Sequence, residues 1–227
     1  MDSLSRRIYD LSYKHKLAHL GSCLTAAPII DEIFTIKQPT EKFVLSSGHA
    51  GVGLYAVIEK HGGRNTEEIW THHGTHPDRC SECGLDCSTG SLGHGLPIAL
   101  GMALAERARN VYCLVSDGEL AEGSIWEALR ITTDQTVTNL KLFVNANGYG
   151  AYDPINSDHL IERIKSFGWN VIVIDEVSRY KTIFSYQIEF AVRPVCIFCR
   201  TRVSDYPFMN DQEAHYHVLT SEEYKRL

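Results

Sequence analysis

The chain has 227 residues, 44% of them hydrophobic and 22% charged, with a formal net charge of −6. These values suit a globular α/β chain with a sizeable core and give no basic field for nucleic acid or anionic lipid, so an anionic ligand needs a local site of metal, backbone amides or histidines. No stretch approaches the roughly twenty apolar residues of a membrane span, and the start MDSLSRRIYDLSYKHK has no signal-peptide core, so the expectation is a cytoplasmic chain. Seven cysteines, three of them (Cys113, Cys196, Cys199) within apolar runs, fit reduced and mostly buried thiols better than a disulfide framework.

Leu4, Ile8, Leu11 and Leu17 fall near helical spacing behind a Ser3 cap, and the pattern breaks at His19-Leu20-Gly21-Ser22. His19 is then either a polar residue at a helix end or a site group. Phe43–Gly51 reads as a short strand, a glycine turn and a helix start, where small neighbours let His49 approach a ligand or cap the helix. In the next segment, His76, Cys80, Cys83 and Cys87 form an H-x₃-C-x₂-C-x₃-C array within twelve residues, a reasonable zinc proposal set against free thiols or a Cys80–Cys83 disulfide. Ser88 to Gly95 is a glycine-rich turn opening an apolar helix; Gly90, Ser91, Leu92 and Gly93 leave backbone amides free for diphosphate oxygens.

Val111–Tyr149 is the stretch around which the chain is organised. One apolar run ends in Ser116-Asp117-Gly118 and a second in Asn145-Ala146-Asn147, with 28 residues between Gly118 and Asn147, about enough for a helix and a returning parallel strand. Asp117 and Asn147 would then meet at one rim as hard oxygen donors suited to Mg²⁺ or Ca²⁺, and Mg²⁺ keeps positions open for substrate phosphates. Gly118 and Glu119 open the intervening helix, where Glu119 also suits the positive end of its dipole. Beyond it, Asp158–Phe167 and Ile183–Ala191 read as helices and Val171–Ile174 and Val195–Cys199 as buried strands. With no linker, repeat or low-complexity tract, the whole of 1–227 reads as a single domain built on a doubly wound, mostly parallel sheet with helices on both faces.

Several of these strings resemble one family. STGSLGHGLPIALGMALA closely resembles the transketolase signature TTGxLGQGxxxAxGMAxA, with His94 at the usual glutamine; Ser116-Asp117-Gly118 … Asn147 resembles the thiamine-diphosphate pattern GDG … N, with serine for the first glycine. LSSGHA, His76-Pro77-Asp78, AHLGS and the closing MNDQEAHYHVLTSEEY resemble further family elements in the same order. The resemblance implies a thiamine-diphosphate-binding fold of the diphosphate (PP) type holding thiamine diphosphate and Mg²⁺. It implies that His19, His49, His76 and His215 line the substrate channel, with His217 as fallback for His215 because Tyr216 stands where glycine normally follows, and with the tail 203–227 entering the site. It places His49 near the diphosphate, Leu92 against the aminopyrimidine, the Asn147 side chain and Tyr149 carbonyl on the metal, and Glu122 in a proton network across a subunit interface.

In this family the glutamate that activates the cofactor sits on a separate pyrimidine-binding domain. The resemblance therefore implies the N-terminal component of a split transketolase, an α₂β₂ heterotetramer with a second polypeptide, moving a two-carbon ketol unit from a ketose or ketose phosphate to an aldehyde. The segment between Phe34 and Phe43 is shorter than the family's proline-rich excursion, which leaves a two-subunit 2-oxo acid decarboxylase or carboligase as the second enzymatic reading. A third is a zinc- or cofactor-binding interaction protein without catalysis. Arg64, Arg79 and Arg200 are available for a sugar phosphate or for solvent.

Overall fold

The computed structural model describes residues 1–150, 153–175 and 192–227. Five parallel strands, β1 (Lys42–Leu45), β2 (Val111–Ser116), β3 (Leu140–Ala146), β4 (Asn170–Ile174) and β5 (Val195–Arg200), form one sheet in the order β1-β2-β3-β5-β4. Alternation along the strands splits their side chains between two cores. Phe43, Leu45, Tyr112, Leu114, Phe143 and Ile197 face one, with helices α1 (Ser3–His15), α2 (Leu20–Ile36), α3 (Gly51–Lys60) and α4 (Thr66–His73). Val44, Cys113, Val115, Leu142, Val144 and Phe198 face the other, with α5 (Gly95–Ala105), α6 (Gly123–Asp134) and α7 (Ser157–Ser166). Strands that are apolar on both faces are what a sheet covered on both sides requires. The α/β, doubly wound expectation is met.

Local departures have physical causes. The first helix stops at His15, where Lys16 caps it in the left-handed conformation, and Gly21 lies inside α2 rather than in a turn. A Cβ on Gly21 would sit 3.0 Å from Cβ of Ala214, so glycine serves the docking of the C-terminal tail. After Asp117 the chain makes a 3₁₀ turn over Gly118–Ala121, extends at Glu122 and only then enters α6. β4 is an edge strand, so Val171, Ile172 and Val173 are half-buried instead of buried. The helix expected over Ile183–Ala191 lies outside the described residues.

The tail crosses back over α1. The Tyr9 hydroxyl donates to the Pro207 carbonyl at 2.9 Å, and Tyr13 stacks on Tyr224 at 4.0 Å between ring centres. A capping box between Thr220 and Glu223 starts α8 (Ser221–Lys225). These anchors return residues 211–215 to the carboxyl ends of the strands. All seven cysteines are reduced thiols, and no helix among the described residues is long and apolar enough to cross a membrane.

Candidate functional site at the carboxyl ends of the strands

Parallel registration brings Ser116 opposite Asn145, and the Asp117 amide donates to the Asn145 carbonyl at 3.1 Å. Asp117 and Asn147 consequently emerge side by side, as the sequence spacing predicts. The Asp117 carboxylate is 2% exposed and accepts from the amides of Gly118 at 3.0 Å and Gly148 at 2.7 Å. Burial pushes its pKa up to about 7 against the pull of those two amides. Among the described residues it has no ion pair. The Asn147 side-chain oxygen Oδ1 accepts from the Tyr149 backbone amide at 3.1 Å, and the Tyr149 backbone carbonyl oxygen lies 3.8 Å from where a Cβ on Gly118 would be. The Tyr149 hydroxyl donates to Asp211 at 2.8 Å and so ties this rim to the tail.

The glycine loop closes over the same rim. Gly90 and Gly93 have φ of 153° and 82°, backbone that side chains other than glycine rarely adopt. A Cβ on Gly90 would lie 3.0 Å from the His76 ring, and one on Gly93 would lie 2.6 Å from Cβ of Glu122. Glu119, fully buried, accepts from the Ser46 hydroxyl at 2.6 Å and the Gly93 amide at 2.7 Å. Its other carboxylate oxygen has no protein partner, and burial raises its pKa. Glu119 is therefore a tie between β1 and the loop. Ser91 and His94 are exposed, His94 at the start of α5 without a side-chain cap.

Three histidines from distant segments converge here. Ring centres are 5.1 Å apart for His19 and His49, 4.6 Å for His19 and His215, and 5.9 Å for His49 and His215. The His19 amide donates to the His215 carbonyl at 3.1 Å, while Nδ1 of its ring is buried without a partner. His19 sits at φ 60°, a left-handed position that a non-glycine residue holds only under constraint. Burial, then His215 and His76, lower the His19 pKa to about 4; burial, then His19, His215 and His76, lower that of His49 to about 3. His215 is lowered by burial alone. These rings are thus neutral at pH 7. His217 instead pairs with Glu223 at 3.2 Å.

The cavity bounded by these groups has a volume of about 540 Å³ and is lined among others by His19, His49, Gly90, Leu92, Asp117, Gly118, Glu119, Glu122, Asn147, Tyr149 and His215. That is a size typical of small-ligand sites. Residues 9–227 match the family described as transketolase, thiamine diphosphate binding domain. The chain belongs to the transketolase family. This transketolase-family chain is 35% identical to human transketolase over 182 residues, 69% of this chain and 29% of the human protein. It is 27% identical to the transketolase of Mycoplasma genitalium over 243 residues, 92% of this chain and 38% of that protein. The chain thus aligns with well under half the length of these relatives. Its structure superposes on a Pichia stipitis transketolase variant in complex with fructose-6-phosphate at a TM-score of 0.85 and 21% identity, covering 99% of this chain and 39% of that one. At 0.57 and 16% identity it also matches a Rhodococcus jostii thiamine diphosphate-dependent 4-hydroxybenzoylformate decarboxylase, covering 78% and 32%. Both likenesses speak for the fold alone.

The donor set fits a divalent cation and a diphosphate. A buried carboxylate without a counter-charge, beside an amide and a backbone carbonyl oxygen, is a hard-oxygen site that a cation would complete. The close packing of Gly48 on the Thr89–Gly90 backbone, where a Cβ would meet atoms at 2.7 Å, holds the loop over it.

The zinc array is not assembled as the sequence reading has it. His76 turns toward Gly90 and the histidine cluster, and Cys87 packs against the opposite core, while His73 joins Cys80 and Cys83. A spacing count cannot foresee this, because the chain reverses at Gly84. None of the three arginines lines the cavity: Arg200 pairs with Asp158 and Asp175, and Arg64 reaches Cys83. Sequence reasoning missed Asn145, whose amide donates to Thr25 Oγ1 at 2.9 Å and accepts from the Thr201 hydroxyl at 2.7 Å. This bridge joins α2, β3 and the end of β5 beneath the histidines. A polar residue late in an apolar strand was its only signal. Ser22, from the AHLGS element, also lines the cavity, as do Asp153 and Ile155, which carry no motif.

Proposed function

We propose that this chain holds the Mg²⁺–diphosphate end of thiamine diphosphate in a two-component transketolase-like enzyme of the cytoplasm. The enzyme transfers a two-carbon ketol unit from a ketose or ketose phosphate to an aldehyde. The observation that carries this reading is the convergence of His19, His49 and His215 on one cavity with the Asp117–Asn147 rim. Thiamine diphosphate, when bound, would supply the nucleophilic carbon and the electron sink. Asp117, the Asn147 side chain and the Tyr149 carbonyl would hold the cation, and the Gly90–Leu92 backbone and His49 the diphosphate, while the Gly93 amide stays on Glu119. His19, His49 and His215, neutral at pH 7, and His76 beside them would bind sugar hydroxyls and pass protons between them, a role that partial burial of the first three favours by excluding water.

A second polypeptide with the pyrimidine-binding domain and the activating glutamate would complete the site in an α₂β₂ assembly. One observation supports that assembly: Glu122 is exposed beside the glycine loop.

The test mixes the chain with that partner, Mg²⁺ and thiamine diphosphate and follows ketol transfer. Activity is expected with ketose donors, and Asp117→Asn is expected to weaken cofactor binding beyond the roughly 10–100-fold lost when a supporting group of a metal site is removed. A stable complex that turns over no ketose would refute the reading, and turnover of 2-oxo acids alone would replace it with the decarboxylase or carboligase.

A further inference from the structure

Away from the cavity, three soft donors stand together between α4 and the glycine loop. His73 ends α4, and Cys80 and Cys83 lie on a tight hairpin. The Cys80 amide donates to the Leu85 carbonyl at 2.9 Å, the Leu85 amide returns to Cys80 at 2.8 Å, and Gly84 at φ 73° supplies the left-handed turn residue. The hairpin aims both sulfurs at α4. His73 Nε2 is 3.3 Å from Cys83 Sγ, and one ligand atom from each of the three residues lies within 4.8 Å of the others. Two thiolates and an imidazole on a tetrahedral zinc ion, at Zn–S of about 2.3 Å and Zn–N of about 2.1 Å, place their donor atoms roughly 3.6–3.8 Å apart.

We propose that His73, Cys80 and Cys83 bind a zinc-like divalent cation, with water in the fourth position. The Arg64 guanidinium donates to Cys83 Sγ at 3.5 Å, the kind of outer hydrogen bond that steadies a metal-bound thiolate. Cys83 is 1% exposed, and His73 and Cys80 are half-buried, so the cation would be shielded without being sealed in.

The position gives the cation a structural task. His73 and the hairpin bracket the segment that carries His76. That segment is cross-braced by the Arg79 amide on Ser88 Oγ at 2.8 Å and by the Thr89 amide on the Pro77 carbonyl at 3.0 Å. Beyond Thr89 comes Gly90, against which the His76 ring packs. The cation would staple α4 to the loop and hold both the histidine and the glycine turn in place.

The experiment needs no turnover, so its result stands apart from the proposed activity. The full chain, purified under reducing conditions, is assayed for bound zinc and titrated with Co²⁺ after chelation. We expect one equivalent of zinc and a cobalt spectrum with tetrahedral d–d bands and a thiolate-to-cobalt charge-transfer band. Cys80→Ser, Cys83→Ser and His73→Asn should each lower affinity at least about tenfold, and Cys87→Ser should leave it unchanged. Folding of each variant is checked by circular dichroism. Because Cys83 is buried, the half-buried Cys80 variant is the decisive one. A folded wild-type chain without thiolate charge transfer overturns the proposal, as does a Cys80–Cys83 disulfide in place of metal, or dependence on Cys87.

Discussion

His49 owes its neutral state chiefly to burial, reinforced by the nearby His19, His215 and His76 rings. The consequence for stability has a definite sign. Its folded pKa of about 3 lies below the unfolded value of 6.5, so as pH falls through 6.5 the unfolded chain takes up a proton that the folded chain refuses. Stability is complete above pH 6.5 and declines toward pH 3, by about 2 kcal/mol between pH 6.5 and 5 for this group. His19, lowered to about 4, acts in the same direction. His49→Gln should therefore flatten the acid limb of the unfolding free energy measured by urea denaturation at stepped pH. An unchanged slope would locate the acid sensitivity elsewhere. The positions of these histidines were legible in LSSGHA and AHLGS, but their charge was not, because it is set by segments that meet only in the folded chain.

Glu119 shows how one element holds another. It bridges the end of β1 and the glycine loop, and removing it orphans the Gly93 amide and the Ser46 hydroxyl in a buried setting. Glu119→Ala should cost about 2–6 kcal/mol, the sum of two such groups, whereas Glu119→Gln keeps the accepting oxygen and should cost less than about 1 kcal/mol. Thermal or urea unfolding separates the two; equal losses would mean that the acceptor is not what matters. Helical spacing and Asp-Gly marked this region in the sequence, yet a continuous helix from Gly118 was expected. The extended Glu122 breaks it, and that break lets Glu122 lie against Gly93. Likewise Val171–Ile174 has the composition of a buried strand, and only the pairing order puts it at an edge. Periodicity reports which side chains avoid water; it does not report which neighbour covers them.

That limit also shapes a feature of the whole molecule. α5, GLPIALGMALA, is apolar almost all round. It buries Leu96, Ala99, Leu100 and Ala103 against the sheet, but Ile98 and Leu104 remain 38% and 37% exposed, Leu92 before them 39%, and a Cβ added to Gly101 would point into open space. A helix apolar on every side is one meant to be covered on every side. Glu122 stands beside its first turn, so whatever covers α5 also reaches the rim of the cavity. On the two-component reading, that cover is the neighbouring subunit. Ile98→Glu puts a charge into the middle of this surface while touching neither the sheet-facing residues nor the histidines. It should leave the unfolding free energy of the isolated chain within about 0.5 kcal/mol of the wild type, as surface substitutions usually do. It should also weaken assembly by about 10–100-fold, the loss typical of a buried interface residue, with activity returning as both components are concentrated. Sedimentation of the chain alone and with the partner reads the effect directly. An Ile98→Glu variant that assembles like the wild type would remove α5 from the interface.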